Sequence, residues 1–282
     1  LTDRDETFAL VLEASPFYAE AGGQINDLGQ ILVDGVLLDV IDVQSYGGFT
    51  LHTCVLSEEA EGGSVAVGSA ATADVDYDHR RKVAPNHTMT HLLNYALRRV
   101  VSEEVDQKGS SVTEEKLRFD FNAKKALTAQ QLLEVEEILN QIINHEMEVS
   151  NKMVPLEEAR SINGLRAVFG ETYPDPVRVV SVGASVDSVL ADPDSSEWLQ
   201  NSIEFCGGTH LSNTREALAC CLIEEAAVAK GIRRISAVTG ESAKTALHEG
   251  QMFATQLAEV RSAVKSKSSD LAKVEADAVN FR

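Results

Sequence analysis

With 282 residues, 44% of them hydrophobic, the chain is long enough for two compact units and an appendage. A formal net charge of −19 gives no general basic face, so any contact with nucleic acid depends on local clusters: Arg80-Arg81-Lys82, Arg98-Arg99, Lys124-Lys125 and Arg233-Arg234. No apolar run approaches the ~18 residues of a membrane span, and LTDRDETFAL has neither the basic start nor the apolar core of a secretion signal.

Short alternating segments at 7–13, 30–33, 36–43, 49–55 and 70–77, separated by Gly- and Asp-containing turns, predict a small N-terminal β-barrel. Residues 79–101 read as a helix with Pro85 near its true start and an apolar stripe at Leu92, Leu93, Ala96 and Val100. Residues 111–112 and 116–121 alternate as a hairpin does. Thr128 is a good N-cap for a helix running to about 148, with Leu132, Val135, Ile138, Leu139 and Ile142 as its buried face.

A shorter helix is expected over 155–162, and core strands over 177–182, 217–224 and 232–238, with a polar exposed loop at 187–202. From 241 onward Leu247, Met252, Leu257, Val260 and Val264 recur at helical spacing. That face needs a partner, either another subunit or the remainder of a longer protein, since the chain starts without Met and reads as an excised piece. The expected class is α+β: a barrel unit over 1–80, an α/β core over 81–240, and the start of a helical segment over 241–282.

Four Cys at 54, 206, 220 and 221 are too scattered for a disulfide framework and fit a reducing compartment. Cys220 and Cys221 stand in an apolar run and are expected to alternate between the faces of a strand. Two other groupings carry chemistry. His87-Thr-Met-Thr-His91 places two imidazoles four residues apart, on one helix face. Cys206-Gly-Gly-Thr-His210 has the same spacing around two glycines, which suits a turn. Together they offer a thiolate and imidazoles, the donors zinc prefers, and folding must bring them together, as in a catalytic site. Thr88 stands where a zincin protease needs its general-base Glu, which argues against a peptidase of that type.

NHTMTHLL at 86–93, DQKGSSV at 106–112, LRFDF at 117–121, EFCGGTHL at 204–211 and GIRRISAVTG at 231–240 occur in one order, preceded by SPFYAEAGGQINDLG at 15–29. In this order they resemble the editing region of alanyl-tRNA synthetases, most closely the eukaryotic cytosolic type. The resemblance thins only after about residue 245. It implies hydrolysis of serine or glycine wrongly esterified to the 3′ end of alanine-specific tRNA. An activating pocket for alanine separates such neighbours by only ~1–3 kcal/mol, so a second hydrolytic site is needed. A free-standing trans-editing deacylase and a non-catalytic zinc-stapled RNA-binding module are the alternatives.

The resemblance further implies a Zn2+ ion on His87, His91, Cys206 and His210, catalytic if one position opens and structural if all four close it. It places Thr90, Gln107, Ser110 and Arg233 in the catalytic pocket. Gln107 would read the serine hydroxyl or orient a water, and Arg233 would hold a phosphate. Gly22, Gly23 and Gln24 would let backbone amides approach the ester or terminal adenosine. The ordinary readings are a helix hydroxyl for Thr90, turn residues for Gln107 and Ser110, a surface charge for Arg233, and a barrel turn for the glycines. Met89 occupies a slot where the family has a small residue, and either narrows the pocket or packs away from it. Expected partners are alanine-specific tRNA, the remainder of the synthetase and a second copy through the C-terminal helix, with no membrane. The expected location is the cytoplasm, a mitochondrial or plastid form being the alternative.

Overall fold

The computed structural model describes residues 6–60, 62–168 and 172–280, with side chains to 265 in the last helix. Strands β1 (Phe8–Val11), β2 (Gly29–Val33), β3 (Val36–Tyr46), β4 (Phe49–Leu56) and β5 (Ala71–Val75) form an antiparallel sheet in the order β1-β4-β3-β2-β5. Ile31, Leu38, Val40, Val43 and Cys54 bury its inner face. Each such side chain is worth roughly 1.5–3 kcal/mol on removal from water. The expected closed barrel is corrected to an open sheet: among the described residues the edge strands β1 and β5 do not pair with each other. β1 has only four residues, and after β5 the chain passes at once through Asp76 into a helix, which leaves nothing to close the ladder.

That helix, α1 (Tyr77–Val100), begins earlier than Pro85 suggested. The Asp76 carboxylate accepts from the N–H groups of Asp78 and His79, which satisfies donors left open at a helix start. Pro85 therefore lies inside the helix and removes one i→i−4 bond. Burial of Ala84, Met89, Leu92, Leu93, Ala96 and Leu97 offsets that loss.

β6 (Gln107–Val112) and β7 (Leu117–Asn122) form the expected hairpin, and α2 (Ala129–Asn144) follows, with a capping box between Thr128 and Gln131. α2 ends sooner than expected because the chain enters β8 (Val149–Val154). After α3 (Leu156–Arg160) come β9 (Val177–Val182), α4 (Val186–Ala191), a 3₁₀ turn at Ser196–Gln200 and β10 (Ser202–Phe205), so the loop expected over 187–202 is partly helical. The order β10-β9-β8 makes a second antiparallel sheet. β9 is apolar on both faces: Val180 and Val182 join the α1–α2 core, while Val177 and Val179 pack with Val186, Val189 and Ile203.

β11 (Cys220–Ala229) and β12 (Ile232–Thr239) add to the hairpin as β11-β12-β7-β6, all antiparallel. Phe119, Phe121 and Ile235 face α1 and α2 from this sheet. Cys220 joins that core, and Cys221 faces the other way with Ala243, at the start of α5 (Gly240–Asn280). The alternation expected of the two cysteines holds. Further along α5, Met252, Phe253, Leu257, Val260 and Val264 are exposed.

Candidate functional site

Three elements converge on one spot. α1 brings His87 and His91 to the same face, one turn apart, with ring centroids separated by 5.2 Å. β10 ends at Phe205, and the following Cys206-Gly207-Gly208-Thr209-His210 turn folds back over α1. The Cys206 Sγ lies 3.3 Å from His87 Nε2 and 3.3 Å from His210 Nε2. One donor atom from each of His87, His91, Cys206 and His210 falls within 4.8 Å of the others, a grouping that could hold a metal ion. Gly208 is obligatory here, because a Cβ on it would overlap the His87 ring.

Protonation agrees with ligation. Burial, then the neighbouring imidazoles and Arg178, hold His87 and His210 well below the usual histidine range. Burial, with Arg178 beside it, brings His91 down to about 3. All three rings are thus neutral at pH 7, the form that binds a metal. The tautomers are fixed from behind. Gln24 Oε1 accepts from the Thr209 N–H at 2.9 Å and from His87 Nδ1 at 2.6 Å, so His87 carries its proton on Nδ1. Thr88 Oγ1, which accepts from the Leu211 N–H, sits 3.2 Å from His210 Nδ1. Glu204 turns Oε2 toward His91 Nε2 at 3.7 Å and accepts from Asn94 Nδ2 at 3.2 Å, and burial pushes its carboxyl up to about 7.

His87, His91 and Cys206 line a cavity of about 930 Å³, and His210 does not. The glycine-rich segment lines the same cavity, docked on the edge of β6: Val112 N–H donates to Gly23 O at 2.7 Å, and Ile25 N–H to Val112 O at 3.1 Å. Gly22 and Gly23 have φ of +58° and +85°, and a Cβ on Gly23 would strike the Ser110 carbonyl. Gln107 Nε2 donates to Ser110 Oγ, which donates to Gly22 O, each at 3.2 Å. Arg178 completes the wall, donating to the carbonyls of Gly208 and Cys206.

A family model described as the threonyl and alanyl tRNA synthetase second additional domain matches residues 177–236, and one described as tRNA synthetases class II (A) matches residues 2–79. An alanine–tRNA ligase of Candida albicans is 50% identical over 244 residues, 86% of this chain and 25% of that protein. The mitochondrial alanine–tRNA ligase of Saccharomyces cerevisiae is 46% identical over 258 residues, 91% of this chain and 26% of its own length. The chain belongs to the alanyl-tRNA synthetase family. It spans about a quarter of the curated relatives it matches; the cytoplasmic alanine–tRNA ligase of Dictyostelium discoideum, 44% identical over 267 residues, is covered over 28% of its length. Relatives are named for both cytoplasm and mitochondria, and among the described residues no helix is long and apolar enough to cross a membrane.

Within this alanyl-tRNA synthetase region, His87, Thr90, His91, Gln107, Ser110, Cys206, Gly22 and Gly23 all line the one cavity. Thr90 is buried rather than exposed, and donates to Asn86 O at 2.8 Å. Gln107 and Ser110 are strand residues of β6, not turn residues, because β7 supplies a ladder partner; a bulge lies between Gln107 and Gly109. Gln24 is buried behind His87, so its side chain orients a candidate ligand rather than lining the cavity. Met89 is fully buried in the α1–α2 core and does not touch the cavity wall.

Arg233 is not brought to the cavity. It sits two strands from Gln107 in the same register row, held by both oxygens of Glu225, and does not line the cavity. Arg178 takes the position by the His/Cys group instead. Its signal was an arginine inside an otherwise all-valine and serine strand. Glu204 also had one: it lies two residues before Cys206, hence on the same strand face.

Proposed function

We propose that this region hydrolyses seryl and glycyl esters of alanine-specific tRNA, as the editing part of an alanyl-tRNA synthetase. The observation that carries this reading is the close grouping of His87, His91, Cys206 and His210, its imidazoles neutral, beside a cavity that the tightly turned Gly22-Gly23 segment also lines. The donor set of one sulfur and three neutral imidazoles, with Nε2 of His87 and of His210 turned to that sulfur, fits zinc. When bound there, zinc supplies Lewis-acid polarisation of an ester carbonyl. The chain's own groups do the rest. Gln107 and Ser110 form a hydrogen-bonded pair able to read the serine hydroxyl, an interaction alanine cannot make. Arg178 pins the Cys206 and Gly208 carbonyls and places a positive charge against the thiolate. The Gly22-Gly23 backbone leaves room for a terminal adenosine.

The relatives' names support tRNA and the remainder of a synthetase as partners, in the cytoplasm or a mitochondrion. The exposed α5 stripe supports self-association or packing on that remainder. The division into 1–80, 81–240 and 241–282 is part of the same reading. A Cys206→Ala variant tests it: Ser-tRNA hydrolysis and zinc content fall together if the reading is right, and undiminished turnover without zinc contradicts it.

A further inference from the structure

Beyond Glu204 lies a second cavity of about 570 Å³. α1 lines it with Asn94, Arg98 and Arg99, the segment between α3 and β9 adds Arg166, and the 3₁₀ turn adds Gln200. His87, His91, Asn94 and Arg98 follow one stripe of the helix, so Arg98 lies about 10 Å along the axis from His91. Arg166 is fixed beside Glu204 by backbone bonds to Ile203 and Phe205. A small recess of about 30 Å³ shares Asp106, Gln107 and Glu204 with the first cavity and Asn94, Arg98, Arg166 and Glu204 with the second.

The two half-buried guanidiniums are unusual in a chain of net charge −19. Among the described residues neither Arg98 nor Arg166 forms an ion pair with a carboxylate, whereas Arg80, Arg233 and Arg234 all do. Arg98 spends one donor on Val105 O at 2.9 Å, and Arg99 is engaged by Gln200 and Tyr95. Burial, then the nearby Arg98, disfavour the charge on Arg166, while Glu204, Glu103 and Asp106 act in the opposite sense without pairing with it. Glu103 and Glu204 also line the cavity, but Glu204 is turned to Asn94 and His91. A bound anion would relieve the repulsion between two guanidiniums, and their planar forks match phosphate oxygens.

We infer that Arg98 and Arg166 form a phosphate subsite that takes a backbone phosphate of the RNA strand whose aminoacylated end occupies the first cavity. This rests on the proposed editing function for the substrate's identity, but its binding arm does not depend on turnover. The test is an Arg98→Gln/Arg166→Gln variant of the full chain, with zinc content and thermal unfolding checked first. Uncharged alanine-specific tRNA should bind about tenfold more weakly, and the slope of log affinity against log salt should flatten by about 0.7–1 per lost contact. In hydrolysis, the rise in KM for Ser-tRNA should exceed by about tenfold any change for a seryl ester of adenosine, which carries no phosphate. Unaltered tRNA binding and salt slope overturn the subsite, as does an equal loss on both esters, which marks a structural role. If the wild-type chain cleaves neither ester, the editing function fails, and the subsite stands or falls on the binding data alone.

Discussion

Gln24 reaches from the N-terminal sheet unit to His87, accepting a hydrogen bond from its Nδ1 at 2.6 Å. The same oxygen accepts from the backbone N–H of Thr209 at 2.9 Å, and because that N–H can only donate, it fixes which way the amide faces. One side chain thereby fixes the His87 tautomer and the Cys206–His210 turn together. Its own Nε2 is buried without a partner, the cost of that orientation.

Replacing Gln24 by Met should keep the packing and remove the acceptor. Zinc affinity, measured by chelator competition, should fall by about tenfold to a hundredfold, the usual effect of losing a group that orients a ligating histidine. Unchanged affinity would show that the contact does not position His87.

Gly208→Ala is expected to be more damaging, because the added methyl overlaps the His87 ring and approaches Gln24 Oε1 at 2.9 Å. Either the turn or the ring must move. Zinc stoichiometry by elemental analysis should drop well below one per chain. Gly207→Ala, where a Cβ has open space, is the control and should retain the metal.

Thiol reactivity offers a test without substrate. Burial pushes Cys54 up to about 12 and Cys221 up to about 11, and raises the fully buried Cys220 as well. All three are thiols at pH 7 and poor nucleophiles. Iodoacetamide should therefore label the partly exposed Cys206 in metal-free protein, and zinc should block the reaction. Mass spectrometry finding equal labelling with and without zinc would separate Cys206 from the metal.

The legible parts of the fold were those set by local pattern. β1 to β5, the Thr128 cap and the Cys220–Cys221 alternation follow from period-2 runs, a side-chain acceptor and a strand's two faces. Pro85 misled because tertiary burial of Leu92 and Leu93 outweighs one lost helical bond. The strand character of Gln107 came from β7, a partner that a glycine-containing segment does not announce. In the site, the two i, i+4 spacings pointed to four residues that the fold does bring together and that could hold a metal, and the family likeness pointed to Gln107, Ser110, Gly22 and Gly23, which line the cavity. Arg178 and Glu204 were hidden because their role depends on how β9 and β10 pair, and Arg233 was overvalued because its Glu225 partner lies across a hairpin.

Gln107→Leu probes selectivity. Losing its hydrogen bond should slow Ser-tRNA hydrolysis by roughly five- to a hundredfold, corresponding to ~1–3 kcal/mol, with zinc content unaltered. A loss confined to serine indicates hydroxyl recognition, and an equal loss on Gly-tRNA indicates a role in positioning water or backbone. Full activity on both substrates places Gln107 outside the reaction.

The most direct measurement is deacylation of Ser-tRNA, Gly-tRNA and Ala-tRNA by the zinc-loaded chain, repeated after chelation and after zinc is restored. The account predicts rapid loss of the seryl and glycyl esters, a spared alanyl ester, and activity that disappears and returns with the metal. Hydrolysis of all three at one rate, or of none by folded protein carrying one zinc per chain, would contradict it.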